Sequence, residues 1–431
     1  MKKFVIGIIL VYIFVSCKFF PKNTENKESS TYDLDVQWEL ETDFVFPSIN
    51  YFQENENFYF HESDDMDQDN VADVSFNIAK VNLENGRYTW KTTKINSQIA
   101  GNESIQKIGD MIIVYDYQGK IFVFSDIDGE LITTILLGYT NEERSIYKLG
   151  TSSIVFENTI LWEVYTNDDN ISNDGLVYLD WNSVDLSIDE QIIIPKYLWH
   201  RDEQNTQSVL NNIIQKDGIL YFETLWDYKN SSYVYAIDIK AKELCWRTKT
   251  ESMWGTGKNC LLVIDDKLYS IENRIACYDI FDKGKEIFEI EKDEKSGIYL
   301  GGYSSIGGIT NNKGYLYYTT TSSIGGNAVG TPVELIKNII CIRASDLKLV
   351  WCDLDSKTGS LFSKVVVENE KAFVFCCDRL RVYDSKTGKL IGINDNIGSW
   401  THQIPTTYNG NVIFFNTDRK TKTSVLTAIK A

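Results

Sequence analysis

The stretch YVYAIDIKAKELCWRTKT, from Tyr233 to Thr250, holds an apolar strand, a short polar turn and a second strand that carries Trp246. Alternation of apolar and polar side chains, rich in β-branched and aromatic types, marks half-buried strands. The same phrase recurs in RIACYDIFDKGKEIFEIE (Arg274 to Glu291), IICIRASDLKLVWCDL (Ile339 to Leu354) and LRVYDSKTGKLIGIN (Leu380 to Asn394). A different hairpin pattern precedes each copy, as in NNIIQKDGILYFET (Asn211 to Thr224), CLLVIDDKLYSIEN (Cys260 to Asn273) and VVVENEKAFVFCCD (Val365 to Asp378). Turns of Asp, Asn, Lys and Gly tolerate the positive φ that a tight reversal requires. Two hairpins make one four-stranded unit.

Working outward gives eight units: 46–92, 103–137, 146–194, 208–250, 258–291, 302–354, 363–393, and 402–431 completed by 34–41. The last copy, SVLTAIKA (Ser424 to Ala431), stops before its turn, and DVQWELETD (Asp35 to Asp43) is a Trp-bearing strand without a partner of its own. A ring accounts for both, because the N-terminal strand then completes the last sheet and leaves no edge between first and last units. The spacing of roughly 50 residues is the period of propeller blades. No run has the period of a long amphipathic helix. The expected fold is all-β: an eight-bladed β-propeller of four-stranded antiparallel blades. Seven blades is the alternative, since units two and three carry Leu131-Ile132 and Ile193-Ile194 where Trp is expected.

The net charge of −18 is spread along the chain and argues against nucleic acid or anionic lipid as the main ligand. Beyond Cys17 the cysteines are Cys245, Cys260, Cys277, Cys341, Cys352, Cys376 and Cys377, with no CxxC spacing. Most stand in apolar strand patterns, where a thiol serves as a small hydrophobe, so no disulfide framework is expected.

The N-terminus has Lys2 and Lys3, an apolar run from Phe4 to Val15, then Ser16-Cys17. That run is too short to cross a bilayer as a mature helix. Phe14-Val15-Ser16-Cys17 resembles a bacterial lipobox, with Phe14 in place of the usual Leu. The resemblance implies cleavage before Cys17 and a lipid on that residue. The expected organisation is a signal peptide over 1–17, a polar tether over 18–33 and the propeller over 34–431. Lys18 stands where an Asp would suggest inner-membrane retention in some bacteria, so the outer membrane is the expected location.

The phrases VYAIDIKAKELCWR, CIRASDLKLVW and VYDSKTGKL are similar to repeats of the PQQ-like (quinoprotein-type) propeller superfamily. That resemblance covers nearly all of the mature chain and implies that Trp38, Trp90, Trp246 and Trp351 dock between adjacent blades. With the lipobox, the whole resembles BamB-type lipoproteins. It implies a monomeric protein-binding scaffold with envelope partners, in the assembly of outer-membrane β-barrels. A glycan- or small-ligand-binding propeller is an alternative, with Trp162, Trp199, Trp226 and Trp254 as candidates to line its funnel. A PQQ-dependent or glycan-cleaving enzyme is another. The vicinal pair Cys376-Cys377 resembles the vicinal disulfide on which some quinoprotein alcohol dehydrogenases stack PQQ. Against an enzyme, His61, His200 and His402 are far apart, and HExxH, GxSxG and phosphate-binding glycine loops are missing from the sequence.

Two local signals remain. In DMDQDNVAD, Asp65, Asp67, Asp69 and Asp73 occupy positions 1, 3, 5 and 9 of a tight loop, with Asn70 where glycine usually turns. Oxygen ligands at that spacing wrap a hard cation. The loop resembles the DxDxDGxxD calcium loops of integrin-type propellers, and Phe76 at position 12 excludes an EF-hand. Its alternative is a solvated acidic loop. The segment PKYLWHRDEQNTQ (Pro195 to Gln207) reads as a connection without alternation, in which Trp199, His200 and Arg201 are candidate interface anchors. Packing of Trp199 onto a blade edge is the competing reading.

Overall fold

The structure, a computed structural model, describes residues 31–42, 51–63, 75–97, 105–116, 118–141, 144–145, 147–166, 175–200, 210–224, 232–250, 261–271, 274–301, 308–324, 334–355, 363–376, 379–395, 397, 405–418 and 423–431. Eight four-stranded antiparallel blades lie within 51–91, 105–137, 147–200, 210–250, 261–290, 310–355, 366–394, and 406–430 with 36–42. They are numbered one to eight below.

Closure is as the sequence implies. Val36–Thr42 pairs antiparallel with Thr423–Lys430, with Trp38 opposite Ala428 and Thr42 opposite Ser424. Between blades eight and one, the Thr406 hydroxyl donates to Gln53 Oε1 at 2.6 Å and the Gln53 amide donates to the Thr407 carbonyl at 3.3 Å. Similar bonds join other neighbouring first strands, such as Gln106 Nε2 to the Ser153 carbonyl at 3.1 Å. Eight apolar clusters describe the core, one at each junction between neighbouring blades. Full burial of a Leu, Ile or Phe side chain contributes about 1.5–3 kcal/mol, so these junctions dominate the cohesion of the ring.

The turns explain why the hairpins form. Eight two-residue turns join first and second strands, and the first turn residue is in each case left-handed: Asn55, Gly109, Glu157, Asp217, Asp265, Lys313, Asn369 and Asn409 have φ between 47° and 56°. That twist matches the right-handed twist of paired strands.

Three expectations need correction. Unit three does not end at 194. Its outer strand is Lys196–His200, paired to Gly175–Asp180, so Trp199 and His200 stand in a strand rather than a connecting loop. The residues read as its end, Glu190–Ile193, instead form a fifth strand on blade two, parallel to Leu131–Leu137 with Thr134 opposite Glu190 and Leu137 opposite Ile193. Two residues of the span 18–33, expected to be a free tether, are instead packed on the ring. Tyr32 N–H donates to the Ile393 carbonyl at 2.8 Å and its ring meets Phe373 edge-on, placing Thr31 and Tyr32 against blade seven.

The cause of the blade-three excursion is local. After Asp180 the chain enters a short 3-10 turn, Trp181–Ser183, in which the Asp180 carboxylate accepts from Asn182 N–H at 3.0 Å. Trp181 is buried in the junction of blades two and three, where Ile132 and Ile193 pack. The outer strand of blade two supplies no Trp, and blade three supplies this one from the opposite side. The chain then runs along blade two, held by Thr134 N–H to the Asp189 carbonyl at 3.0 Å and Gly138 N–H to the Ile193 carbonyl at 2.8 Å.

Candidate functional site

Four predicted tryptophans occupy one geometry. Trp38, Trp90, Trp246 and Trp351 each leave the outer strand of a blade and cover a glycine in the next blade: Gly86, Gly129, Gly284 and Gly388. These glycines have φ between 65° and 76°. A Cβ on any of them would fall 2.3–2.7 Å from an indole carbon, closer than atoms can approach. Three of the indoles also donate to a carbonyl three residues before the glycine: Trp38 to Leu83 at 3.1 Å, Trp90 to Asp126 at 2.9 Å and Trp351 to Ser385 at 2.8 Å. Where the turn lacks glycine, the preceding blade lacks this Trp. Blade four has Lys242 and blade six Leu347 at the left-handed position, each with φ below 60°. Phe288 of blade five packs into the cluster that holds Leu347, and Lys242 Nζ lies 4.2 Å from the Tyr178 ring of blade three.

Trp199 fills the third junction differently. Its ring meets Phe222 and Tyr235 of blade four edge-on at 5.3 and 5.5 Å, and those two rings stack at 4.9 Å. It is half-buried packing, while His200 is exposed and stacks on Tyr197 at 3.8 Å. Trp162, a candidate for the funnel wall, is 1% exposed in the core between blades two and three and cannot line a funnel. Cys17, Asp65, Asp67, Asp69, Asp73, Arg201, Trp226, Trp254, His402 and Cys377 lie outside the described residues.

Buried carboxylates stand near the far ends of second strands, each with its own donors. Glu62 accepts from the Tyr88 hydroxyl at 2.7 Å and pairs with Lys91. Asp116 accepts from the Ser97 hydroxyl at 2.5 Å and from Lys120 N–H at 2.8 Å, while burial pushes its carboxyl up. Glu223 is fully buried; Ser270 of blade five donates to its Oε2 at 3.0 Å, and Oε1 has no partner. Burial pushes this carboxyl up to about 7, against the pull of Arg274. Arg274 is itself held by Glu289 and by Thr250 Oγ1 at 3.3 Å. Sequence reading passed over these acids, because one acidic letter at the end of an apolar strand is no motif.

A second charge cluster pins blade one to blade two. Asp126 receives Lys80 Nζ at 2.8 Å, Lys107 Nζ at 3.0 Å and the Tyr59 hydroxyl at 2.8 Å, and these three donors lower its carboxyl despite partial burial. Lys107 also reaches Glu54 at 2.5 Å. Between blades six and seven, on the face of the two-residue turns, lies a cleft of about 390 Å³. Tyr315, Tyr317, Asn312, Glu368 and Lys313 are among its walls.

Thiol chemistry finds no support among the described cysteines. Cys245, Cys277, Cys341 and Cys352 are free. Burial raises the thiols of Cys277 and Cys352 to about 11 and that of Cys341 to about 12, so they stay protonated and unreactive. Among the described residues, no group of three His, Cys, Asp or Glu side chains is placed to hold a metal.

The architecture is that of an eight-bladed β-propeller with tryptophans docked at blade junctions. No protein-family model matches the chain, and no curated protein does. Solved structures share its fold. BamB from Moraxella catarrhalis is 11% identical with a TM-score of 0.59, over 93% of this chain and 100% of that one. Quinohemoprotein alcohol dehydrogenase from Comamonas testosteroni is 10% identical with a TM-score of 0.65, over 92% and 76%. Sqt1 from Saccharomyces cerevisiae is 9% identical with a TM-score of 0.57, over 93% and 100%. At these identities the likeness is one of fold.

Proposed function

We propose that the chain is a lipid-anchored envelope scaffold that binds other proteins, without catalysing a reaction. In this reading Cys17 carries the lipid, residues 18–30 form the tether, and the loops and rims of the ring present the binding surfaces. The observation that carries it is how the described polar side chains are spent. Asp126, Glu62, Asp116 and Arg274 are consumed by bonds within and between blades rather than gathered around one reacting centre. The BamB propeller from Moraxella catarrhalis shares this fold over 93% of this chain and all of its own, which supports a propeller scaffold; assembly of outer-membrane proteins is proposed as the process served. The Asp65–Asp73 loop is proposed to bind calcium and stiffen one loop of blade one. The test is crosslinking of the lipidated protein in its native envelope, followed by affinity purification. A stable protein partner is expected; recovery of a glycan or quinone in its place overturns the scaffold.

The cleft between blades six and seven favours a second reading, a small-ligand- or glycan-binding propeller. A ring such as Tyr315 beside the polar groups of Asn312 and Glu368 suits a hydroxylated ligand. Saturable binding in a glycan array, lost in Tyr315→Ala, is what that reading requires.

A further inference from the structure

The fifth strand of blade two, Glu190–Ile193, is the outermost of its sheet, and no described strand pairs with its other side. Its inward bonds fix its polarity. The Asp189 and Ile193 carbonyls accept from Thr134 and Gly138 of blade two. With a two-residue repeat, the N–H and C=O groups of Glu190 and Ile192 therefore point away from the sheet. Near this row four apolar side chains are exposed, Ile192 (49%) within the strand, Ile188 (44%) and Ile194 (59%) flanking it and Leu131 (50%) on the adjoining strand, while Glu190 on the strand is charged. Sheet edges in native proteins are usually blunted by lysine, proline or brevity, and an apolar edge with free backbone groups is a template for another strand. At its N-terminal end the edge is acidic, with Asp185, Asp189 and Glu190 all exposed.

We propose that this edge docks an extended segment of a partner protein, apolar at alternate positions and basic where it meets Asp189 and Glu190. The inference rests on the scaffold reading and names the surface that performs it. A strand is the occupant because only an extended backbone presents donors and acceptors at the two-residue spacing of the edge. The acids select a cationic flank. A second copy of this chain is disfavoured, since each copy brings a net charge of −18.

The probe is a fluorescein-labelled synthetic peptide, Lys-Lys-Val-Thr-Val-Thr-Val-Lys-Lys, followed by anisotropy. Saturable binding is expected, with at least about tenfold weakening when alternate amides are N-methylated or when the lysines become glutamates. Ile192→Pro removes an outward N–H without touching the inward ladder, so it should fold and lose binding by a similar factor. The double variant Ile192→Ser, Ile194→Ser keeps the backbone and should also weaken binding, which covers failure of the proline variant to fold. Undiminished binding of the N-methylated or glutamate peptide, or by the serine variant, overturns the proposal. So does a dimer in sedimentation that Ile192→Pro dissolves, because the occupant would then be a second copy. Envelope crosslinks that survive Ile192→Pro overturn the edge and leave the scaffold standing; the absence of any protein crosslink in the parent overturns the scaffold itself.

Discussion

The Trp38 indole donates to the Leu83 carbonyl at 3.1 Å, so a strand that belongs to blade eight is fastened to blade one. Its ring covers Gly86, where a Cβ would fall 2.4 Å from the indole. Trp38→Ala removes a large apolar side chain from the junction that closes the ring and should cost about 3–4 kcal/mol, read as a lower urea midpoint.

Gly388→Ala is the reciprocal experiment. The new Cβ would lie 2.5 Å from the Trp351 ring, at a residue with φ of +68°. Left-handed strain and overpacking together should cost about 2–4 kcal/mol. Combined with Trp351→Ala, the loss should be less than the sum of the two, since the clash disappears with the ring. Additive losses would show that ring and glycine are not coupled.

Stability should respond to pH through Glu223. Its carboxyl is raised from 4.5 to about 7, so the fold favours the neutral form; that stability is complete below pH 4.5 and lost as pH rises through 7. His61 works the other way: burial lowers it from 6.5 to about 3, and its share is complete above pH 6.5 and lost as pH falls toward 3. Between the two ordinary values the slopes oppose one another. Glu223→Gln removes one slope, and relative to the parent it should gain about 3 kcal/mol on going from about pH 4.5 to pH 8. Parallel pH profiles for parent and variant, in urea melts, would refute the assignment.

Asp126→Asn leaves Lys80 and Lys107 without their shared carboxylate, although Lys107 keeps Glu54. A buried pair broken on one side costs about 3–5 kcal/mol, and partial exposure here reduces the expectation to about 2 kcal/mol. Differential scanning calorimetry at low salt reads the loss. Because Asp126 is held below the usual carboxylate range, its contribution is present at neutral pH and fades as pH falls through the lowered value.

Calcium binding to the Asp65–Asp73 loop predicts a rise in melting temperature with added Ca²⁺ that chelator reverses and Asp67→Ala abolishes. A parent that melts at one temperature with and without calcium has no such site.

Much of the ring is legible in sequence because its information is local. A hairpin such as Asn211 to Thr224 announces itself through alternation and an Asp-Gly turn, and Trp246 with Gly284 repeats a spacing. Neighbouring blades pair such units in order, so eight copies suffice to give the architecture. What was illegible is non-local. Glu190–Ile193 pairs in parallel with a strand of the preceding blade, and parallel pairing leaves no turn between the partners. The run Ile192-Ile193-Ile194 therefore passes for the end of its own unit, which in turn makes Lys196–His200 look like a loop. Trp181 was overlooked because it enters its junction from the other side. The buried acids are illegible for another reason: burial is a tertiary property, and Glu223 differs from any surface glutamate only in what surrounds it.

The excursion of blade three onto blade two has a kinetic corollary. Each other blade owns its four strands in sequence, apart from the one shared between the chain's two ends, and can fray at its rim alone. Blade three cannot release its outer strand cleanly while Glu190–Ile193 remains zipped to Leu131–Leu137. These two sheets should therefore open as a single cooperative foldon, with amides of Ile135 and Val177 exchanging at one common rate while those of the remaining blades disperse.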